Sequence, residues 1–156
     1  MHLLPPYRHH PEHHHQPGDS TWLDLDAGLT IGNARPFGLP LRFGYDTADP
    51  FALILDLRAP TGTVTVWRLS RDLVWEGLQQ PTGLGDVRIW PPCPCHNRPD
   101  LRITLRGRQS TALLDIPAQP VRRWLATRAF ALVPQGAEAD LIDWDTELNR
   151  LLPGPA

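Results

Sequence analysis

The run from Trp67 to Pro91, WRLSRDLVWEGLQQPTGLGDVRIWP, decides how the chain is read. Trp67-Arg68-Leu69 ends an extended segment. Ser70 follows, a residue whose hydroxyl can accept from the free N–H groups of a helix's first turn. Gly77 suits the left-handed position just past a helix end. A short helix is therefore expected between them, with Leu73 and Val74 turned to the core. A Gly-Pro-rich turn comes next. A second strand is expected over Asp86 to Trp90, opened by Gly85-Asp86-Val87-Arg88.

Upstream, alternating apolar and polar residues mark half-buried strands. Trp22-Leu23-Asp24-Leu25-Asp26 is one, and Leu39, Leu41, Phe43 and Tyr45 share a face in the next. Phe51, Leu53, Leu55 and Leu57 are in phase between the turns at Asp49-Pro50 and Pro60-Thr61-Gly62, and Thr63 to Leu69 continues as a strand. Downstream, Leu101, Ile103 and Leu105 alternate with Arg102 and Thr104, and a last strand is expected at about 111–116. Short strands with close turns favour antiparallel meander pairing. Two helices close the chain. Pro120 fits a first helical turn, with Val121, Trp124, Leu125 and Arg128 on one face. Val133-Pro134-Gln135-Gly136 breaks that helix. A final one is expected over 137–152, carrying Leu141, Trp144, Leu148 and Leu151 as an apolar stripe. Trp67, Trp124 and Trp144 are expected in the core. The fold class read from this order is α+β, a curved antiparallel sheet covered by helices. Residues 1–21 form a His/Pro-rich tail expected to be disordered, 22–152 one domain, and 153–156 a short tail.

Composition excludes several function classes. All 15 cationic residues are arginine, so a lysine-dependent phosphate loop and Schiff-base chemistry are ruled out. The net charge of −2 does not suit a chain wrapped as a whole around nucleic acid. Two cysteines one residue apart make no disulfide framework, and no apolar run is long enough to span a bilayer. The expected location is the cytoplasm.

Four constellations are candidates for function. Cys93-Pro94-Cys95-His96 offers two thiols and an imidazole, all zinc ligands, but one intervening proline makes a shared bite hard; a solvent-exposed loop and no cofactor are expected. Arg102, Arg106 and Arg108 lie in phase in or beside one strand, and Arg122, Arg123 and Arg128 lie on the first C-terminal helix. With Trp90 and Trp124 they could follow a phosphate backbone and stack bases; a solvated face explains them equally, as does an acidic protein partner. Catalysis is poorly provided for. His96 is the one histidine beyond the tail, and neither Ser70 nor Ser110 has the context of an activated nucleophile. Trp75 and Trp90 could be exposed beside arginine, as interface hot spots prefer. The expected partner-binding residues are Trp75, Trp90, Arg102, Arg106, Arg122 and Arg123, with no catalytic, cofactor or metal residues.

The order of motifs resembles the SsgA-like proteins, sporulation and cell-division regulators of filamentous actinobacteria. It includes Asp49-Pro50-Phe51-Ala52, Trp67, Arg71-Asp72-Leu73, Gly77-Leu78 and Gly85-Asp86-Val87. It continues through Trp124-Leu125-Ala126-Thr127, Leu132-Val133-Pro134-Gln135-Gly136-Ala137-Glu138, Asp143-Trp144-Asp145 and Leu151-Leu152. The histidine-proline tail and the Cys93–His96 loop stand outside that pattern. The resemblance implies a strongly bent sheet or partial barrel, similar to whirly-type single-stranded nucleic-acid binders and assembled as a homotrimer. It implies a non-enzymatic regulator without cofactor, recruited to the septum, with FtsZ or other SsgA-like proteins as partners. The alternative function is single-stranded nucleic-acid binding on an arginine-rich sheet face.

Overall fold

Eight antiparallel strands run in the order β4-β3-β2-β1-β8-β7-β6-β5 in a computed structural model that describes residues 18–152. The expected tail falls outside the described residues except for its last four, and so do residues 153–156. The strands are β1 (Ser20–Ile31), β2 (Phe37–Asp46), β3 (Ala52–Arg58), β4 (Val64–Ser70), β5 (Thr82–Leu84), β6 (Val87–Trp90), β7 (Asp100–Arg106) and β8 (Thr111–Pro117). The first strand begins at Ser20, two residues ahead of Trp22, and Ser20 pairs with Asp46. Strands β1 to β4 form one meander and β5 to β8 a second. They are joined where Gly28 to Ile31 of β1 pairs with Ala112 to Asp115 of β8.

Helix α1 (Arg71–Gly77) connects the two outermost strands, β4 and β5. Seven helical residues span about 10 Å, whereas eight strands laid flat would place those edges roughly 34 Å apart. The four linking residues after the helix do not make up the difference comfortably. The sheet therefore curls, and α1 packs on β4, β5 and β6 at once. Chain connectivity thus favours the half-barrel over a flat sheet, in the direction that strand twist already bends it.

The concave face is the core. Leu39, Leu41, Phe43 and Tyr45 of β2, Leu53, Leu55 and Leu57 of β3, and Leu101, Ile103 and Leu105 of β7 are buried in the expected phase. Phe51 is not. It stands in the turn before β3 and is exposed. Helix α2 (Ala118–Trp124), a wider π turn over Leu125–Ala129 and a short α3 (Phe130–Leu132) cover this face, with Val121, Trp124 and Leu125 buried. The π turn shifts the facing positions, so Ala129 points inward and Arg128 does not share the buried face of Val121, Trp124 and Leu125 but is exposed, as a solvated arginine would be.

Gly77 is not left-handed: it lies inside α1, and the residue after it, Leu78, is right-handed. Its role is close approach, because a Cβ there would lie 2.3 Å from Ile89 Cγ2. Ser70 does cap the helix, accepting from the Leu73 N–H at 3.3 Å. The Gly-Pro-rich turn contains a strand, β5, which forms a tight hairpin with β6 around Gly85 at φ 58°.

The final helix is not continuous. A 3-10 turn over Glu138–Leu141 ends at an extended Ile142, and α4 (Trp144–Leu151) starts afresh. Asp143 causes the restart, because its carboxylate accepts from the N–H and the hydroxyl of Thr146 at 3.1 and 2.6 Å. The break turns α4 away from the core, so Leu141, Trp144, Leu148 and Leu151 are all exposed. Trp144 is thus not a core residue. Trp67 is half-buried because β4 is an edge strand.

Candidate functional site

The convex face of the sheet carries the residues that alternate out of the core. Trp90 of β6, Arg102 of β7 and Asp115 of β8 stand in one cross-strand row. The Arg102 guanidinium grips Asp115 with both arms, Nε to Oδ1 at 2.8 Å and Nη2 to Oδ2 at 3.2 Å. That hydrogen bond, more than the added charge attraction, raises the Arg102 pKa against the opposing effect of partial burial. Arg106 lies exposed at the end of the same strand.

A second row repeats the device in the other meander. Arg42 donates to both oxygens of Asp24, at 2.6 and 3.1 Å, and lies 5.8 Å from the centre of the Trp22 ring. Trp22 lies flat across Gly44, its cross-strand partner, where a Cβ would come within 2.2 Å of the ring. The exposed Arg42–Asp24 pair adds little to stability, whereas the Arg102–Asp115 pair is partly buried.

The expected partner-binding residues do not form one patch. Arg102, Arg106 and Trp90 are on the convex side. Arg122 and Arg123 are on the outward side of α2, which covers the concave side. The sheet itself separates the two groups. Arg122 also reaches back to donate to the Leu78 carbonyl at 2.7 Å, tying α2 to the end of α1. Trp75 is half-buried, edge-on to Phe130 with ring centres 5.1 Å apart. A backbone-tracking groove that uses all these arginines together is therefore not built.

The strongest electrostatic feature lies inside. Arg71, the first residue of α1, is completely buried. Its Nη1 donates to the Tyr45 hydroxyl at 2.9 Å and to the Val133 carbonyl at 2.7 Å, and its Nη2 pairs with the buried carboxylate of Glu138. The Tyr45 and Phe130 rings flank the guanidinium, each centre 4.9 Å away. The Tyr45 hydroxyl in turn donates to the Pro50 carbonyl at 3.0 Å. Burial opposes ionisation of Glu138, but its own and the Gly136 backbone N–H groups and the Arg71 side chain outweigh it, so its pKa is lowered. Burial likewise pushes the Tyr45 hydroxyl up, with Arg71 pulling the other way.

This cluster joins β2, α1 and the Val133–Glu138 break, three segments far apart in the chain. In the sequence Arg71 and Glu138 stand out only as members of the motifs Arg71-Asp72-Leu73 and Leu132 to Glu138. The available signal was spacing: Arg71, Val74 and Leu78 lie three and four apart on the face that meets the core.

Cys93, Pro94, Cys95 and His96 lie in a short loop closed by mutual backbone bonds of Cys93 and Arg98, at 2.9 and 3.0 Å. Cys93 Sγ is 2.9 Å from His96 Nδ1. Among the described residues no three His, Cys, Asp or Glu side chains are grouped to hold a metal ion. No helix among them is long and apolar enough to cross a membrane.

A curled antiparallel half-barrel, strapped across its edges by a short helix, is an architecture found in sporulation-specific cell division proteins. A structure of the SsgA-like sporulation-specific cell division protein from Thermobifida fusca superposes with a TM-score of 0.75 at 29% identity, covering 88% of this chain and 99% of that one. A structure from a study of SsgB mutations in Streptomyces coelicolor gives 0.73 at 32% identity, covering 82% and 99%. SsgB of Streptomyces coelicolor is 36% identical over 129 residues, 83% of this chain and 93% of that protein. SsgB of Frankia casuarinae is 32% identical over 136 residues, 87% and 94%. The family described as "Streptomyces sporulation and cell division protein, SsgA" matches residues 39–138. The chain belongs to the SsgA family.

Proposed function

We propose that the protein is a non-enzymatic regulator of sporulation-specific cell division that acts through protein contacts, positioning or recruiting FtsZ at the septum as a homotrimer. One observation carries this reading. Relatives named as sporulation-specific cell division proteins match over more than nine-tenths of their own length. The shared part is thus the whole relative and not a module borrowed by an unrelated protein. The convex row of Trp90 and Arg102, with exposed Arg106 beside it, supplies the aromatic and guanidinium groups that favour protein partners. Arg122, Arg123 and Trp75 belong to a separate contact area on the helical side.

The test uses the full chain immobilised and challenged with purified FtsZ. Retention of FtsZ, weakened by Arg106→Glu, is the expected result. A fluorescent fusion is expected to concentrate at sporulation septa. Absence of FtsZ retention together with diffuse fluorescence overturns the reading. Light scattering is expected to give a mass three times the 17.5 kDa chain, and a monomer would remove the trimer from it.

A further inference from the structure

We propose that Cys93 is a covalent modification site, a nucleophilic thiol that forms a mixed disulfide with a low-molecular-weight disulfide. The loop around it is built in an unusual way. Cys93 opens a 3-10 turn over Pro94–His96, and Asn97 closes it in the left-handed region at φ 48°. The turn itself, in which the His96 N–H donates to the Cys93 carbonyl at 3.2 Å, brings the His96 ring beside the Cys93 thiol, with 2.9 Å between Sγ and Nδ1. The arrangement stands outside the core, on the half-exposed run between β6 and β7, and is open to a small reactant. A thiol in hydrogen-bond reach of an imidazole is the nucleophile–base pairing that activates cysteine.

The chemistry balances without a further co-reactant. The Cys93 thiolate attacks one sulfur of a disulfide R–S–S–R. A Cys93–S–S–R bond forms as the R–S–S–R bond breaks, and the second half leaves as a thiolate that takes a proton from water. The Cys93 sulfur is oxidised and the departing sulfur reduced. Hydrogen bonding from the His96 side chain, followed by the His96 backbone N–H, holds the Cys93 pKa down to about 7 against the opposing effect of burial. At neutral pH about half of such a thiol is ionised, against about 3% for an ordinary one near 8.5; lower intrinsic nucleophilicity returns part of the gain, leaving about a threefold faster reaction. Cys95, exposed in the same loop, provides the internal comparison.

The experiment follows the full chain with an aromatic disulfide reagent whose released thiolate is coloured. The Cys95→Ser chain, which retains Cys93, is expected to react about threefold faster at pH 7 than the Cys93→Ser chain. Its rate is expected to rise with pH around a midpoint near 7. Adding His96→Gln should move that midpoint upward and abolish the advantage. In the unsubstituted chain, brief exposure to oxidised glutathione should place the adduct on Cys93, read by mass spectrometry of peptides. Equal rates for the two thiols, preferential labelling of Cys95, or indifference to His96→Gln overturns the proposal.

Discussion

Replacing Arg71 with methionine lowers the free energy of unfolding by about 3–5 kcal/mol, the range for removing one partner of a buried ion pair. Glu138 is the reason. Its side chain is only 5% exposed, so without the guanidinium its charge is left in the interior. The Tyr45 hydroxyl and the Val133 carbonyl lose a donor at the same time. Chemical denaturation measures the loss. Arg71→Met combined with Glu138→Leu is expected to recover much of it, because two apolar groups of similar volume impose no charge burial.

The pH dependence has a definite sign. Glu138 is a carboxyl whose folded pKa is lowered. Its contribution is complete above the unfolded carboxyl value, about 4.3, and disappears as pH falls through the lower folded value. The parent chain therefore keeps this contribution through mild acid, and Arg71→Met does not. A loss under 1 kcal/mol, or a double variant no more stable than the single one, would show that the pair does not lock the C-terminal segment to the sheet.

Gly77→Val lowers stability by about 1–3 kcal/mol through overpacking. A Cβ at residue 77 meets Ile89 Cγ2 at 2.3 Å and Ile89 Cβ at 2.7 Å. The second of these atoms sits next to the β6 backbone, so rotation of the side chain does not relieve it. Helix α1 would have to lift from β6. The companion Ile89→Ala makes room, and the pair is expected to be less damaging than the sum of the two single changes. Thermal unfolding of the four chains checks this, and strict additivity would refute the contact as the cause.

Much of the sheet was legible because strand periodicity is a local signal. Leu39 to Tyr45 and Leu101 to Leu105 alternate so regularly that one face had to be buried. The Ser70 cap was legible for the same reason, since the hydroxyl and its N–H partner are three residues apart. What escaped depends on residues far apart in the chain. A free glycine looks the same whether it turns the chain or admits a neighbour, and only the position of Ile89 distinguishes them. The stripe on α4 satisfied helical periodicity yet faces solvent, because periodicity says which residues share a face and not what that face meets. The arginines showed the complementary limit. Arg102 and Arg122 are equally cationic in sequence, but one is engaged by Asp115 on the convex side and the other by a carbonyl on the concave side. Arg71 was the largest omission, since a guanidinium in a hydrophobic interior is intelligible only once Glu138 has been brought to it from 67 residues away.

Of the seven ladders in the sheet, six join strands adjacent in sequence, and only the β1–β8 seam, four residue pairs long, joins the two ends. Nearly all pairing can thus be completed by short-range zipping, which keeps the entropy lost to closing large loops small. The remaining search is a single encounter between two preassembled halves. Across that seam the halves are also tied by Trp124, which packs against Phe43 and donates to the Thr21 hydroxyl, so closing the half-barrel and docking α2 belong to one event.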